Sequence, residues 1–189
     1  KIVAKSRGFS SEILAAPEQI HSSVIKCIDR PGDYMTADGL ITDNPEIILT
    51  LKVADCVPVY LSSSKIIGLI HSGWRGTAEG IVTNAIRKML EMGANDREIS
   101  IFLGPAIGLC CYEVDGEVAE RFNKKAIKKM ENGKWKLGLH KEISIQLTEM
   151  GIPSTNIKTS DICTFESLKF HSYRRDRSQA GRMVAFMGL

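Results

Sequence analysis

The sequence predicts an α/β (α+β) fold: a layered sheet domain carrying helices on its outside. Three observations carry that reading. Strand-sized runs rich in Ile and Val alternate with amphipathic stretches of helical period. The strand-sized runs are apolar throughout, as expected of strands buried on both faces. The chain has 189 residues, 43% hydrophobic and 25% charged, which suits one domain with a real core and not a disordered chain. Residues 1–189 therefore read as a single domain, without repeats, low-complexity tracts or a linker.

The elements follow in chain order. Short strands are expected in the first part, broken at Arg7-Gly8 and at Arg30-Pro31-Gly32-Asp33, with Asp38-Gly39 as a further turn. The strongest β region is "EIILTLKVADCVPVYL", interrupted at Ala54-Asp55-Cys56. "SSSK" then turns the chain into the strand "IIGLI". Thr77 is the expected N-cap of a helix over "AEGIVTNAIRKMLEMG". Its Ile81, Val82, Ala85, Ile86, Met89 and Leu90 fall at helical spacing, and Gly93 stands where a glycine ends a helix. "ISIFLGPAIG" reads as strand then turn. "DGEVAERFNKKAIKKM" and "LGLHKEISIQLTEMG" read as two amphipathic helices, and "NIKTSDICT" and "GRMVAFMGL" as closing strands.

Composition excludes several function classes. A net charge of +3, with both signs interspersed, gives no footprint for nucleic acid. Five cysteines, an odd number without a CxxC pair, argue against a disulfide framework and a zinc ribbon. No segment resembles a secretion signal, and no apolar run is long enough to span a membrane. The expectation is a reduced, cytoplasmic protein without a membrane partner.

Cys56 and His71 each lie at the end of, or just after, a strand-like run, and a short turn joins the two runs. A hairpin-like pairing would bring them together at a sheet end, where α/β proteins build sites. A cysteine beside a histidine supports nucleophilic catalysis through an ionised thiol, or metal binding. Thiolate with imidazole suits zinc, and imidazole-rich sites also take copper. His21, beside Ser22 and Ser23, is the third candidate ligand, and three protein ligands leave a fourth position open. Each residue also has a structural reading: Cys56 as a small buried hydrophobe, His71 as a hydrogen-bonded turn residue, His21 as a surface side chain. His140 and His171 read as ordinary.

Arg75 stands two residues before Thr77, at the entrance to a helix, between Gly73 and Gly76. Free N–H groups, the helix dipole and a guanidinium together suit an anion such as phosphate, and the glycines let a ligand approach the backbone. The other reading is a structural arginine paired with an acid. Trp74 reads as core packing in preference to base stacking. "SYRRDR", with Tyr173, Arg174 and Arg175, reads as a solvated charged loop, or as a second anion cluster.

Taken together, "QIHSSVI", "ADGLIT", "ADCVPVYL", "HSGWRGTAEGIV", "LGPAIGLCCYEV" and "FHSYRRDRSQAGRMVAFM" resemble the YfiH-like family. That family is described both as multi-copper polyphenol oxidoreductases or laccases and as zinc-dependent purine nucleoside phosphorylases. The resemblance runs in order from about residue 7 to the end. It implies a fold similar to the catalytic domain of the cytotoxic necrotizing factor toxins, and a metal site of His21, Cys56 and His71. It implies phosphorolysis of adenosine, inosine and methylthioadenosine, with adenosine deamination as a companion reaction. Zinc is the implied cofactor, with copper possible, and the partners are a purine nucleoside and phosphate. Arg75 is the expected phosphate binder, joined by Tyr173 and Arg174. The chain departs from the family in a shortened N-terminal region between "SRGFSSE" and "APEQIH", in Ser22 where many relatives have glycine, and in Gly138 where aspartate is expected. Cys110 and Cys111 match the family's block but read as buried thiols near the site. Two other enzymatic functions compete, beside a non-enzymatic reading as a metal-binding accessory protein. One is phenol oxidation by copper, for which four histidines are too few to build several copper centres. The other is a metal-free hydrolase or deamidase using Cys56 and His71.

Overall fold

The computed structural model describes residue 8 and residues 10–189. The strand expected ahead of Arg7 lies outside them. The strands are β1 (Leu14–Pro17), β2 (Ile25–Cys27), β3 (Gly32–Tyr34), β4 (Gly39–Thr42), β5 (Ile48–Val53), β6 (Val57–Ser62), β7 (Ile67–Ser72), β8 (Ser100–Leu103), β9 (Glu113–Val114), β10 (Ile127–Lys129), β11 (Trp135–Leu137), β12 (Ile157–Thr159) and β13 (Met183–Met187). The helices are α1 (Trp74–Ala78), α2 (Ile81–Glu91), α3 (Gly116–Ala119), α4 (Leu139–Glu149) and α5 (Tyr173–Asp176).

The central layer is a six-stranded sheet in the order β12-β8-β6-β7-β4-β2. Its middle strands are buried on both faces, and β7 is buried at every position. Alternate side chains therefore enter two cores. Ile41, Val59 and Ile70 pack with Ile86 and Met89 of α2 and with Ile143 and Leu147 of α4. Leu40, Ile67 and Leu69 pack with Leu49 and Leu51 of a second sheet, whose order is β13-β5-β1-β3. The layers are thus helix, sheet, sheet: the helices α2 and α4 cover one face of the central sheet and the second sheet covers the other. A three-stranded sheet, β10-β11-β9, completes the topology among the described residues. No helix among them is long and apolar enough to cross a membrane.

The chain passes from β5 in the second sheet to β6 in the central sheet through Ala54, Asp55 and Cys56. β6 and β7 then pair as an antiparallel hairpin, with Val57 opposite Ser72 and Pro58 opposite His71. This is the pairing expected from the sequence, and it puts Cys56 and His71 at one end of the sheet.

Three local expectations are corrected. Thr77 does not cap the long helix: it lies inside α1, where its hydroxyl donates to the Gly73 carbonyl at 2.8 Å. The chain breaks at Gly80, whose φ of +73° suits glycine, and Gly80 is the N-cap of α2. Leu90 is exposed, whereas Ile81, Val82, Ala85, Ile86 and Met89 are buried, and Gly93 ends the helix with φ +95° as expected. The helix expected over "DGEVAERFNKKAIKKM" lasts one turn, α3. The Asn123 amide donates to the Glu142 carboxylate at 3.0 Å, and its side chain accepts from the Lys125 amide, folding a turn. β10 then pairs antiparallel with β11 across Asn132-Gly133, a strong hairpin signal.

Candidate metal and anion site

His21, Cys56 and His71 offer ligand atoms that all lie within 4.8 Å of one another. Three separate segments supply them, and a fourth residue arranges two of the three. Asp38, fully buried just before β4, accepts Nδ1 of His71 at 2.8 Å. It also accepts the amides of Ile20, His21 and Ser22, at 3.2, 2.9 and 2.6 Å, and the Ser22 hydroxyl at 2.8 Å. One carboxylate thus holds the 20–22 turn, where His21 has φ +62°, and orients the His71 ring. With Nδ1 engaged, His71 has Nε2 left for a metal, the arrangement of a carboxylate–histidine–metal triad. Gln19 anchors the same turn: its amide exchanges bonds of 2.6 and 2.8 Å with the backbone of Lys52 in β5.

The electrostatics follow from these contacts. Burial opposes charge on Asp38, but the His71 and Ser22 hydrogen bonds outweigh it and hold its pKa at about 2. Burial likewise opposes charge on Cys56, and hydrogen bonds to His21 and His71 outweigh it, bringing the thiol down to about 7. Burial pulls His71 down, but Asp38 and then Cys56 lift it to about 9. The His21 and His71 rings meet edge to face with centroids 4.9 Å apart. A Cβ on Gly73 would stand 3.0 Å from Cys56 Sγ and 3.4 Å from His21 Cδ2, so only glycine leaves the ligand atoms clear.

The donor set suits a metal. Two imidazoles and a thiolate, with one imidazole oriented by a carboxylate, are borderline-soft ligands of the kind zinc takes in open sites. His140 Nε2 is bonded to the Gly104 carbonyl at 2.8 Å, His171 is exposed, and neither belongs to a metal-sized cluster among the described residues.

The three residues border a cleft of about 650 Å³, within the range of small-ligand pockets. Trp74, Arg75, Tyr112, Tyr173 and Arg174 also line it, as do Lys52, Arg177 and Arg182. Arg75 is exposed in the first turn of α1, 4.4 Å above the Trp74 ring, and makes no ion pair among the described residues. Trp74 packs against the core and lines the cleft as well. Arg174 Nη1 donates to the Glu113 carbonyl at 2.7 Å, and the guanidinium lies 4.9 Å from the Tyr112 ring. Burial pushes the Tyr112 hydroxyl up to about 12, so it stays protonated at neutral pH. Tyr173 is exposed at the cleft.

The reading of "SYRRDR" as a solvated loop is corrected. Ser172 is buried and caps α5, accepting the Arg175 amide at 3.2 Å. Arg175 donates to the carbonyls of Thr164, Phe165 and Phe170, so it is a structural arginine. Asp55 ties this segment to the site. Its carboxylate accepts the Thr164 hydroxyl at 2.7 Å and the Arg174 amide at 2.6 Å. Sequence reasoning missed Asp38, Gln19 and Tyr112. The signal for Asp38 was present: an acid inside the apolar block "ADGLIT". Gly138 caps α4 without a side-chain hydrogen bond, so the contact an aspartate would make there is absent.

Comparison with known proteins adds four findings. The family model described as multi-copper polyphenol oxidoreductase laccase matches residues 1–189. The chain is 35% identical to the purine nucleoside phosphorylase YlmD of Geobacillus stearothermophilus, covering 98% of this chain and 78% of that protein. It is 36% identical to a purine nucleoside phosphorylase of Clostridium acetobutylicum, over 90% of this chain and 74% of that one. Among solved structures, the hypothetical protein YfiH of Bacillus licheniformis superposes with a TM-score of 0.94 at 34% identity, covering all of this chain and 79% of that chain.

Proposed function

The chain belongs to the multi-copper polyphenol oxidoreductase laccase family, and we propose that it is a zinc-dependent purine nucleoside phosphorylase. Adenosine, inosine and methylthioadenosine are the proposed substrates, with adenosine deamination as a companion reaction. One observation carries the reading: a single cleft joins a His21–Cys56–His71 ligand set to an unpaired arginine, Arg75, among further cations. Named relatives that are purine nucleoside phosphorylases support the reaction class. His21, Cys56 and His71 would hold zinc, which when bound supplies Lewis acidity toward water or a substrate oxygen.

Phosphorolysis joins a phosphate oxygen to ribose C1′ and breaks the bond from C1′ to the base, which leaves and takes up a proton. The transition state has oxocarbenium character, so phosphate must be held close to C1′ on the side opposite the base. Arg75 is the proposed holder, because its guanidinium has no acidic partner to displace. Tyr173 and Arg174 are the proposed second contacts. Lys52, Arg177 and Arg182 raise the positive potential of the cleft and attract the anion. The Asp55 carboxylate lines the same cleft and offsets one of these charges, so the cations remain in excess.

A second reading has one specific observation in its favour. The Cys56 thiol, drawn down to about 7 beside His71, is activated as a nucleophile would be. Release of adenine from adenosine and hypoxanthine from inosine, with and without phosphate, separates the two. The protein is assayed for metal first. The expected result is phosphate-dependent release that disappears in Cys56→Ala together with the metal, and a phosphate KM raised about 10-fold or more in Arg75→Ala. Base release indifferent to phosphate, or an unchanged phosphate KM in Arg75→Ala, would overturn the assignment. Activity of the metal-stripped protein on amide substrates would favour the thiol hydrolase.

A further inference from the structure

The function proposed above makes no use of a second cluster. Cys110, Cys111, Cys163 and Glu166 also place ligand atoms within 4.8 Å of one another. All three cysteines are free thiols; Cys163 is buried, but Cys110 is exposed and Cys111 half-buried, which corrects the reading of that pair as buried thiols. Two distant stretches of chain supply them, 108–111 and 163–166, and the backbone fixes their register through a bridge between Ala106 and Cys163.

The local backbone is built around the sulfurs. The Gly108 amide donates to Cys163 Sγ at 3.2 Å. The Ser167 amide donates to the Cys163 carbonyl at 3.0 Å and closes the turn. A sulfur that accepts an amide N–H is better able to carry negative charge. A Cβ on Gly108 would come within 3.0 Å of Cys110 Sγ and 3.5 Å of Cys163 Sγ, so glycine keeps the space between these sulfurs open. Cys111 Sγ stands 3.5 Å from Glu166 Oε1.

We propose that Cys110, Cys111, Cys163 and Glu166 form a second metal site, one that takes a thiophilic divalent cation of the zinc class. Three sulfurs and a carboxylate oxygen supply four protein donors, the number that closes a tetrahedral structural site. Binding exchanges the thiol protons, which pass to solvent, for the cation. The site's role is bracing. Cys111 precedes Tyr112, which lines the cleft, and Cys163 precedes Thr164, which donates to Asp55. A cation here would lock together the two stretches that form one side of the first site.

The test needs no activity. The chain is stripped of metal, kept in a phosphine reductant, and titrated with Co²⁺. Thiolate-to-cobalt charge-transfer absorption reports sulfur ligation, and bound zinc is counted by elemental analysis after reloading. Wild type is expected to bind two equivalents. Cys56→Ala is expected to keep one equivalent with intense thiolate absorption. Cys110→Ala/Cys111→Ala is expected to lose that equivalent and retain the weaker single-thiolate signal of the first site. Should Cys56→Ala not fold, His21→Ala, at an exposed position, replaces it. One equivalent in reduced wild type, with absorption unchanged by the double substitution, would overturn the proposal and leave the cluster as three thiols. A disulfide within the cluster in air-exposed protein, with no second equivalent bound after its reduction, would do the same.

Discussion

Asp38 is the residue on which the candidate site turns. It has no place among the ligands, yet it fixes the His71 ring and the backbone that presents His21. Asp38→Asn keeps the shape but turns an acceptor-only group into one that must point two donors at other donors. Zinc affinity, measured against a competing chelator, is expected to fall by about 10–100-fold while the fold persists. Unchanged affinity would remove Asp38 from the positioning role. At this scale the ligand set was largely legible. His21, Cys56 and His71 are polar residues next to serine, glycine or a strand end, places where a core gains nothing from them. Asp38 stood out only as an acid inside the apolar block "ADGLIT", which reads locally as a turn, so its role was not legible. Its role arises only when β4 pairs with β7 and sets it beside a residue 33 positions away. Arg174 and Arg175 look alike in sequence, and only the tertiary fold spends Arg175 on carbonyls while leaving Arg174 on the cleft.

At the scale of elements, α4 shows how position sets the chemistry of a side chain. His140 lies in the first turn of the helix, its ring bonded to the Gly104 carbonyl. Burial lowers its pKa, and a positive charge near a helix N-terminus is unfavourable in any case. The unfolded chain, with an ordinary histidine pKa of ~6.5, takes up the proton more readily than the folded one. His140 therefore contributes stability that is complete above ~6.5 and is lost as pH falls toward its lower folded value. Denaturant unfolding at pH 7.5 and 5.5 is expected to show a smaller acid loss in His140→Gln, whose amide can donate to the same carbonyl. Equal losses in the two proteins would place the acid sensitivity elsewhere. The long helices α2 and α4 were legible from their period, because apolar spacing and tertiary packing agree there. The failures lie where they disagree. Thr77 is a good N-cap by type, but Gly80 in the left-handed region sets the break. The lysine-rich 115–130 stretch carries a helical pattern, yet the Glu142 carboxylate and the Asn132-Gly133 turn fold its second half into a hairpin.

For the whole molecule, the decisive fact is that the site belongs to no single layer. His21 precedes β2 of the central sheet, Cys56 lies in the crossing between the two sheets, His71 ends β7, and Asp55 reaches the C-terminal segment through Thr164 and Arg174. Layered α/β architecture was readable from alternating strand and helix patterns. The division of strands between two sheets was not, since β5 and β6 form one apolar run in sequence and part only at Asp55, with its φ of +83°. A ligand set drawn from such distant segments exists only in the folded chain, so zinc bound there must stabilise the fold through linkage. At free zinc about 100-fold above Kd the gain is ~2.7 kcal/mol. For a chain of this size that is a rise in Tm of roughly 5–11 °C at 2–4 °C per kcal/mol. Thermal unfolding of chelator-stripped protein with and without zinc is expected to show this rise, and Cys56→Ala is expected to lose the part due to the first site. Any rise left in Cys56→Ala should vanish on removing Cys110 and Cys111. A Tm in wild type that ignores zinc would mean that the three ligand atoms, close as they lie, do not bind the ion in the folded chain.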